Sequence, residues 1–92
     1  MARYHIKLEE LGPNNAGCAN VDSTTASISP QTARSDDYAE TFIHENIEQI
    51  NLHQNMKMPH SIIDLLGREL TCILLATGWK APVIPPEGFD IP

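Results

Sequence analysis

The first pattern along the chain is a strict alternation of polar and apolar side chains over residues 3–8, which predicts a β-strand with one buried face. The inward set is Tyr4, Ile6 and Leu8, and the outward set is Arg3, His5 and Lys7. Turn-forming Gly, Pro and Asn residues follow within 11–17. The segment 19–28 has few large side chains, so it is either a strand that returns against the first or a loop.

Two helical patterns occupy the middle of the chain. Ser35 is followed by two aspartates, which is typical of a helix start because hydroxyl and carboxylate groups interact with free backbone N–H groups. One half of the helical wheel then carries apolar residues, which predicts an amphipathic helix over 35–55. These residues are Tyr38, Ala39, Phe42, Ile43, Ile47 and Ile50. Pro59 suits the start of a second helix over 59–77, and Gly78 suits its end.

The second helix is apolar on most of its surface. One arc of its wheel contains Ile62, Ile63, Leu66, Leu70, Ile73 and Leu74. Leu65 and Cys72 lie on another side of the helix, and Leu75 lies apart from both groups. Such a helix is either enclosed in a core or forms an interface. The pattern favours a central core helix, and it leaves Leu65, Cys72 and Leu75 as possible interface residues for a homodimer or another partner.

The tail over 79–92 contains four of the seven prolines, so it cannot be helical. Its apolar residues predict an extended strap that docks on the core, with a partner-binding tail as the alternative. Ninety-two residues leave room for one domain. The elements together predict a single α+β domain over 1–92, with a strand or hairpin and a polar loop in 1–34, two helices and a Pro-rich strap.

Charge and cysteine content narrow the class of function. Twelve Asp and Glu residues against six Lys and Arg give a formal net charge of -6. Direct binding to nucleic acid is therefore not expected, because non-specific affinity comes mainly from clustered cations. Two cysteines are few for a disulfide scaffold, and neither a signal-peptide pattern nor a membrane-spanning apolar run is visible. We therefore expect a cytoplasmic protein with reduced thiols.

The outward side predicted for the first helix carries a strip of polar and acidic residues. Its members follow one another at steps of three and four residues, and they are Asp37, Glu40, His44, Glu48, Asn51 and Asn55, with Glu45 nearby. No Lys or Arg lies between Arg34 and Lys57. The ordinary explanation is a solvated face. The functional explanation is a docking strip for a basic partner, formed by Asp37, Glu40, His44, Glu45 and Glu48.

No motif in the chain specifies a reaction. The segment 44–48 departs from the zinc-protease motif H-E-x-x-H because Glu48 replaces the second histidine. Glu40, His44 and Glu48 would be the set for a divalent ion, but they offer only one nitrogen donor, so neither a metal nor a cofactor is expected. Ser61 and Cys72 have no neighbouring base in the sequence, and we do not expect an enzyme.

These features predict a non-catalytic acidic protein that binds a macromolecular partner through the acidic helix face and blocks or adapts it. Its size and charge are those of phage-type inhibitors, including anti-CRISPR proteins and nucleic-acid mimics that cover a basic nucleic-acid-binding surface, which is an analogy of class only.

Two alternatives stay open. The order strand, helix, helix is that of dimeric ribbon-helix-helix DNA-binding regulators, and Arg3, His5 and Lys7 would then face DNA, although the long segment 9–34 departs from that family. A small metal-binding protein is the second alternative.

Overall fold

A computed structural model describes residues 3–92 as a mixed β-sheet packed against a helix pair. The strands are β1 (Tyr4–Leu8), β2 (Gly17–Ala19), β3 (Thr25–Ile28) and β4 (Phe89–Ile91), and the helices are α1 (Pro30–Ala33), α2 (Tyr38–His53) and α3 (His60–Ala76). Met1 and Ala2, which the predicted domain includes, lie outside the described residues. The arrangement confirms the predicted α+β class in a single small domain.

The sheet has the strand order β2-β3-β1-β4, and β1 lies inside it. β1 pairs in parallel with β3 and antiparallel with β4, while β2 pairs antiparallel with β3. The predicted hairpin between the first strand and 19–28 is therefore wrong. The chain first travels past β1 to form β2 at the sheet edge, so that β3 returns in parallel with β1 and the hairpin is the one between β2 and β3.

The core lies between the sheet and α2. Its buried cluster consists of Ile6, Ala26, Ile28, Phe42 and Ile84. The alternation predicted for β1 is confirmed, because Tyr4 and Ile6 are buried and Leu8 packs against the cluster. This cluster takes its residues from β1, β3, α2 and the tail, and among the described residues α3 supplies none.

The helix boundaries follow local capping. Ser29 accepts a hydrogen bond from the Thr32 backbone N–H at 3.1 Å and starts α1, which the sequence pattern did not indicate. α2 consequently begins at Tyr38 rather than Ser35. Gly78, with φ of 92°, ends α3 as predicted, and the backbone N–H of Trp79 reaches back to the carbonyl of Leu74 at 3.0 Å.

The tail docks on the core as predicted, and it also contributes a strand. Ile84 is buried, and the Tyr38 hydroxyl donates a hydrogen bond to the carbonyl of Pro82. After the turn at Gly88, β4 pairs with the free edge of β1, and His5 Nδ1 and Asp90 Oδ1 lie 2.7 Å apart. The tail therefore closes one edge of the sheet, and β4 itself contains no proline, because Pro82, Pro85 and Pro86 precede it and Pro92 follows it.

The turn before β4 requires glycine at position 88. Its φ is 76°, and a Cβ there would overlap the Ile6 carbonyl oxygen and lie 2.6 Å from His5 Nε2. We expect Gly88→Ala to lower the free energy of unfolding by about 3 kcal/mol, because backbone strain and overlap add together. Urea denaturation measures the change. Gly12→Ala is the matched control, since Gly12 has φ of 90° with open space around its Cβ position, and an equal loss in both variants would contradict a packing role.

Candidate functional site

α3 packs on α2 along one narrow buried stripe. Ile63, Gly67 and Thr71 follow one another at four-residue steps and form this stripe. A Cβ on Gly67 would lie 3.5 Å from both Cα and Cβ of His44, which is ordinary van der Waals contact, so the two helix backbones lie close together here although the position does not require glycine. The Thr71 hydroxyl donates to the Gly67 carbonyl at 2.6 Å and needs no partner outside α3. The contact therefore uses little of the aliphatic surface of α3.

The large aliphatic side chains of α3 remain on the outside. Six of them are between 36% and 60% exposed, namely Ile62, Leu65, Leu66, Leu70, Ile73 and Leu75. The prediction of a central core helix is therefore wrong, because the strands and the tail pack on α2 and leave the far side of α3 uncovered. Leu65, Cys72 and Leu75 are exposed, as an interface role requires, and that role stays a prediction.

One stripe of these side chains, made of Ile62, Leu66, Leu70 and Ile73, is called the apolar face below. Its spacing of four, four and three residues places it along one side of α3. His44 and Asp64 approach each other on one flank of the helix pair, and the helical positions place the apolar face on the opposite flank. Ile50 of α2, which is 40% exposed, occupies the same flank and extends the apolar surface.

The acidic strip predicted on α2 is not continuous. Asp37 and Glu40 are exposed as predicted. Glu45 is only 7% exposed and lies against β2, where Gly17 makes room for its side chain. His44 and Glu48 are half-buried beside α3. The prediction that all five residues face a partner is therefore wrong for Glu45 and only partly met for His44 and Glu48, because α2 has one side against the sheet and another against α3.

Burial changes the charge state of Glu45. Loss of hydration raises the pKa of Glu45 to about 7, and the neighbouring charge of Glu48 adds to the increase. Gln49, one turn further on, is fully buried, and neither atom of its amide has a hydrogen-bond partner among the described residues. The apolar pattern missed both residues, although their spacing of three and seven from Phe42 places them on its side of α2.

The Glu45 carboxyl makes stability depend on pH. The folded chain holds this proton up to about pH 7, whereas the unfolded chain releases it near the usual pKa of 4.5. The stability of the wild type therefore falls as pH rises through this window, by about 3 kcal/mol. We expect Glu45→Gln to remove this part of the pH dependence and to raise the free energy of unfolding at pH 8.

Urea denaturation at pH 5 and pH 8, with a chelator present, checks the Glu45 prediction. Glu40→Gln removes an exposed carboxylate from the same helix and should leave the pH dependence close to that of the wild type. Equal pH dependence in the wild type and in Glu45→Gln would mean that the folded chain carries Glu45 as an anion.

A second group of chemically active side chains lies where the start of α3 meets α2. His44 Nδ1 and His60 Nε2 lie 3.3 Å and 3.4 Å from Asp64 Oδ1, and His60 Nδ1 lies 4.0 Å from Glu48 Oε2. His44, Glu48 and His60 each offer one metal-ligand atom within 4.8 Å of the others. Glu40, which the sequence pattern offered as a metal ligand together with His44 and Glu48, is not part of this group.

The sequence did contain a signal for this group. His60 and Asp64 are four residues apart on α3, and His44 and Glu48 are four residues apart on α2, so each pair lies along one side of its helix. Only the packing of the two helices shows that these sides face each other.

The structure contradicts the ribbon-helix-helix arrangement. In that architecture the first strand pairs with its copy in a second chain, whereas both edges of β1 are paired within this chain. The predicted DNA-facing side chains His5 and Lys7 lie beside Asp90 and Glu9. β1 therefore has no free edge for an intermolecular ribbon.

One further cleft lies away from the helix pair. A cleft of about 560 Å³ between segment 10–16 and α1 has Glu10 as its one titratable side chain. Within residues 3–92, no helix combines the length and the apolar content needed to cross a membrane. Comparisons of the chain with protein-family models, curated proteins and solved structures find no match.

Proposed function

We propose that this chain is a non-catalytic binding protein that docks on another protein through the apolar face of α3. The observation that supports the proposal is the orientation of α3, which buries Ile63, Gly67 and Thr71 but exposes Ile62, Leu66, Leu70 and Ile73. A helix that served only the core of a monomer would place its aliphatic side chains inward.

The energetic argument is the hydrophobic effect. Burial of aliphatic surface contributes about 25 cal/mol per Å², so the exposed side chains of α3 forgo stabilisation in the isolated chain. Contiguous apolar patches on soluble proteins commonly mark protein–protein interfaces. The free energy that the fold leaves unused on α3 is then available for binding a partner.

Two exposed acids lie at the end of the helix pair where α2 begins. Because His44 packs against Gly67 and the helices run in opposite directions, the first turn of α2 lies beside the last turns of α3. Asp37 and Glu40, which we call the acidic rim, are exposed there, on the side of α2 that also carries His44 and Glu48 and away from the apolar face. The proposed partner therefore has an apolar surface for α3 and Lys or Arg residues that reach around this end of the helix pair, since opposite charges speed encounter and select the partner.

This surface keeps part of the function predicted from the sequence. A small inhibitor or adaptor that covers a basic protein surface fits the net charge of -6 and the acidic rim, and phage-encoded antagonists are one class of such proteins. Nucleic-acid mimicry is not carried forward, because it depended on a continuous strip of charge that includes Glu45.

A second copy of the chain is the second candidate for the occupant of the apolar face. The face reads Ile, Leu, Leu, Ile from either end. Two antiparallel copies of α3 related by a two-fold axis near Arg68 would place Leu66 opposite Leu70 and Ile62 opposite Ile73. Self-complementarity of this kind is what a symmetric dimer interface requires.

The apolar face is tested by the double variant Leu66→Gln, Leu70→Gln. We expect the protein that co-purifies with the tagged wild type from its native host to be lost with this variant, as measured by mass spectrometry. Val83→Gln is the matched control, because Val83 is 89% exposed in the tail, away from the apolar face. Surface changes of this type alter the free energy of unfolding by only about 0.5 kcal/mol each, so unfolding does not explain a loss.

Sedimentation of the wild type and of the same variants distinguishes the two candidate occupants of the apolar face. Sedimentation of the wild type as a dimer and of the double variant as a monomer would assign the apolar face to a second copy. A wild type that is monomeric, with the same proteins retained by all three forms, would contradict both candidates.

The acidic rim is tested by Asp37→Lys with Glu40→Lys. We expect association with the co-purified partner to slow by about tenfold and to lose most of its dependence on salt, because complementary charge acts mainly on the association rate. Stopped-flow or surface-plasmon measurements check this expectation. Glu10→Lys with Asp22→Lys makes the same change in net charge at exposed positions off the helix pair, and an equal effect there would mean that net charge alone matters.

A further inference from the structure

The four-residue cluster between α2 and α3 has a geometry that α3 docking does not use. His44 and Glu48 lie along one side of α2, and His60 and Asp64 lie along one side of α3. The rings of His44 and His60 have centroids 5.3 Å apart. The backbone of α3 at Gly67 lies close to His44 beside this cluster.

The charge of the cluster is uncompensated. Glu48 and Asp64 bring two carboxylates together, and within residues 3–92 their ion-pair partners are histidines, with no Lys or Arg in contact. With neutral imidazoles the four side chains carry a formal charge of about −2, which matches a divalent cation. The two histidine nitrogens and the Glu48 carboxylate form a mixed donor set that suits zinc better than magnesium or calcium.

Asp64 lies next to both imidazole rings. Its Oδ1 lies 3.3 Å from His44 Nδ1 and 3.4 Å from His60 Nε2, which is ion-pair distance. The second ring nitrogen of His60, Nδ1, lies 4.0 Å from Glu48 Oε2. A carboxylate beside ligand histidines is typical of metal sites.

We infer that His44, Glu48 and His60 bind a zinc-class divalent cation, with Asp64 as the positioning residue. Their ligand atoms lie within 4.8 Å of one another. Ligands around a tetrahedral zinc are about 3.4 Å apart at bond lengths near 2.1 Å, so a small closure is needed. The His60 side chain is 67% exposed and that of Glu48 30%, which leaves both free to adjust. Water would supply the fourth ligand.

A cation held there would connect α2 to α3 on the flank opposite the apolar face. The site therefore does not compete with the apolar face for the same surface, although it shares its side of α2 with the acidic rim. Zinc would instead stabilise the helix pair that presents the apolar face, because a ligand that binds only the folded chain raises its apparent stability.

Calorimetric titration of the full chain with zinc chloride tests the inference. Cys18 and Cys72 are free, exposed thiols, and thiolates are good zinc ligands, so the titration uses the Cys18→Ser, Cys72→Ser form. We expect one zinc per chain, a rise in Tm of about 5 °C at saturation, and no binding of magnesium. Cobalt in place of zinc should give the visible absorption of a tetrahedral centre.

Single substitutions test which residues of the cluster bind zinc. His60→Ala and Glu48→Gln should weaken zinc binding by at least about tenfold, and Asp64→Asn by about tenfold through loss of ring orientation. Glu40→Gln removes a carboxylate two turns from Glu48 on α2 and should bind zinc like the parent. His60 is largely exposed, so His60→Ala should retain the circular-dichroism spectrum of the parent.

Two results would overturn the inference. One is the absence of zinc binding by the parent, and the other is equal zinc affinity in the parent, His60→Ala and Glu48→Gln. The Leu66→Gln, Leu70→Gln form should keep full zinc affinity, so failure of the docking proposal and failure of the zinc site give different results.

Discussion

The close contact of α2 with α3 at Gly67 is the constraint on which the surfaces of this protein depend. The backbone of α3 at Gly67 lies close to His44, and Ile63 and Thr71 complete the same narrow stripe. Among the aliphatic side chains of α3 in the described residues, only Ile63 is buried by this contact. The remaining Leu and Ile residues of α3 consequently face outward, and the contact that orders the helix pair also creates its exposed apolar face.

On the other side of α2, packing against the sheet buries polar side chains that the sequence pattern predicts to be exposed. Glu45 and Gln49 share a side of the helix with Phe42, and packing against β2 and β3 buries them with it. Burial disfavours the carboxylate form of Glu45, so a residue that reads as part of an acidic strip loses much of its charge near neutral pH. The exposed acids that remain on this helix are those of its first turn and the residue before it.

The two exposed flanks of the helix pair carry different kinds of side chains. The apolar face offers dispersion and hydrophobic burial to a protein partner, and the flank with His44, Glu48, His60 and Asp64 offers nitrogen and oxygen donors to a cation. Both depend on how the helices pack, because a shift of one turn along the pair would separate the histidines, and a rotation of α3 would turn the apolar face toward α2. One helix–helix contact therefore fixes the position of both flanks.

Local periodicity determined the parts of this fold that depend on neighbours in sequence. The alternation in β1, the two long helices, the glycine stop at Gly78 and the docked tail all follow from side-chain spacing and backbone preferences, and the structure has them. Long-range packing decided the rest. A helix that is apolar on most sides, such as α3, has no sequence pattern that identifies its buried side. The alternation of polar and apolar residues in a strand such as β1 is the same whichever strands lie beside it, so it does not predict the strand order. The parallel pairing of β3, the burial of Glu45 and the approach of His60 to His44 therefore appear only in three dimensions, because each depends on which distant element covers a given face.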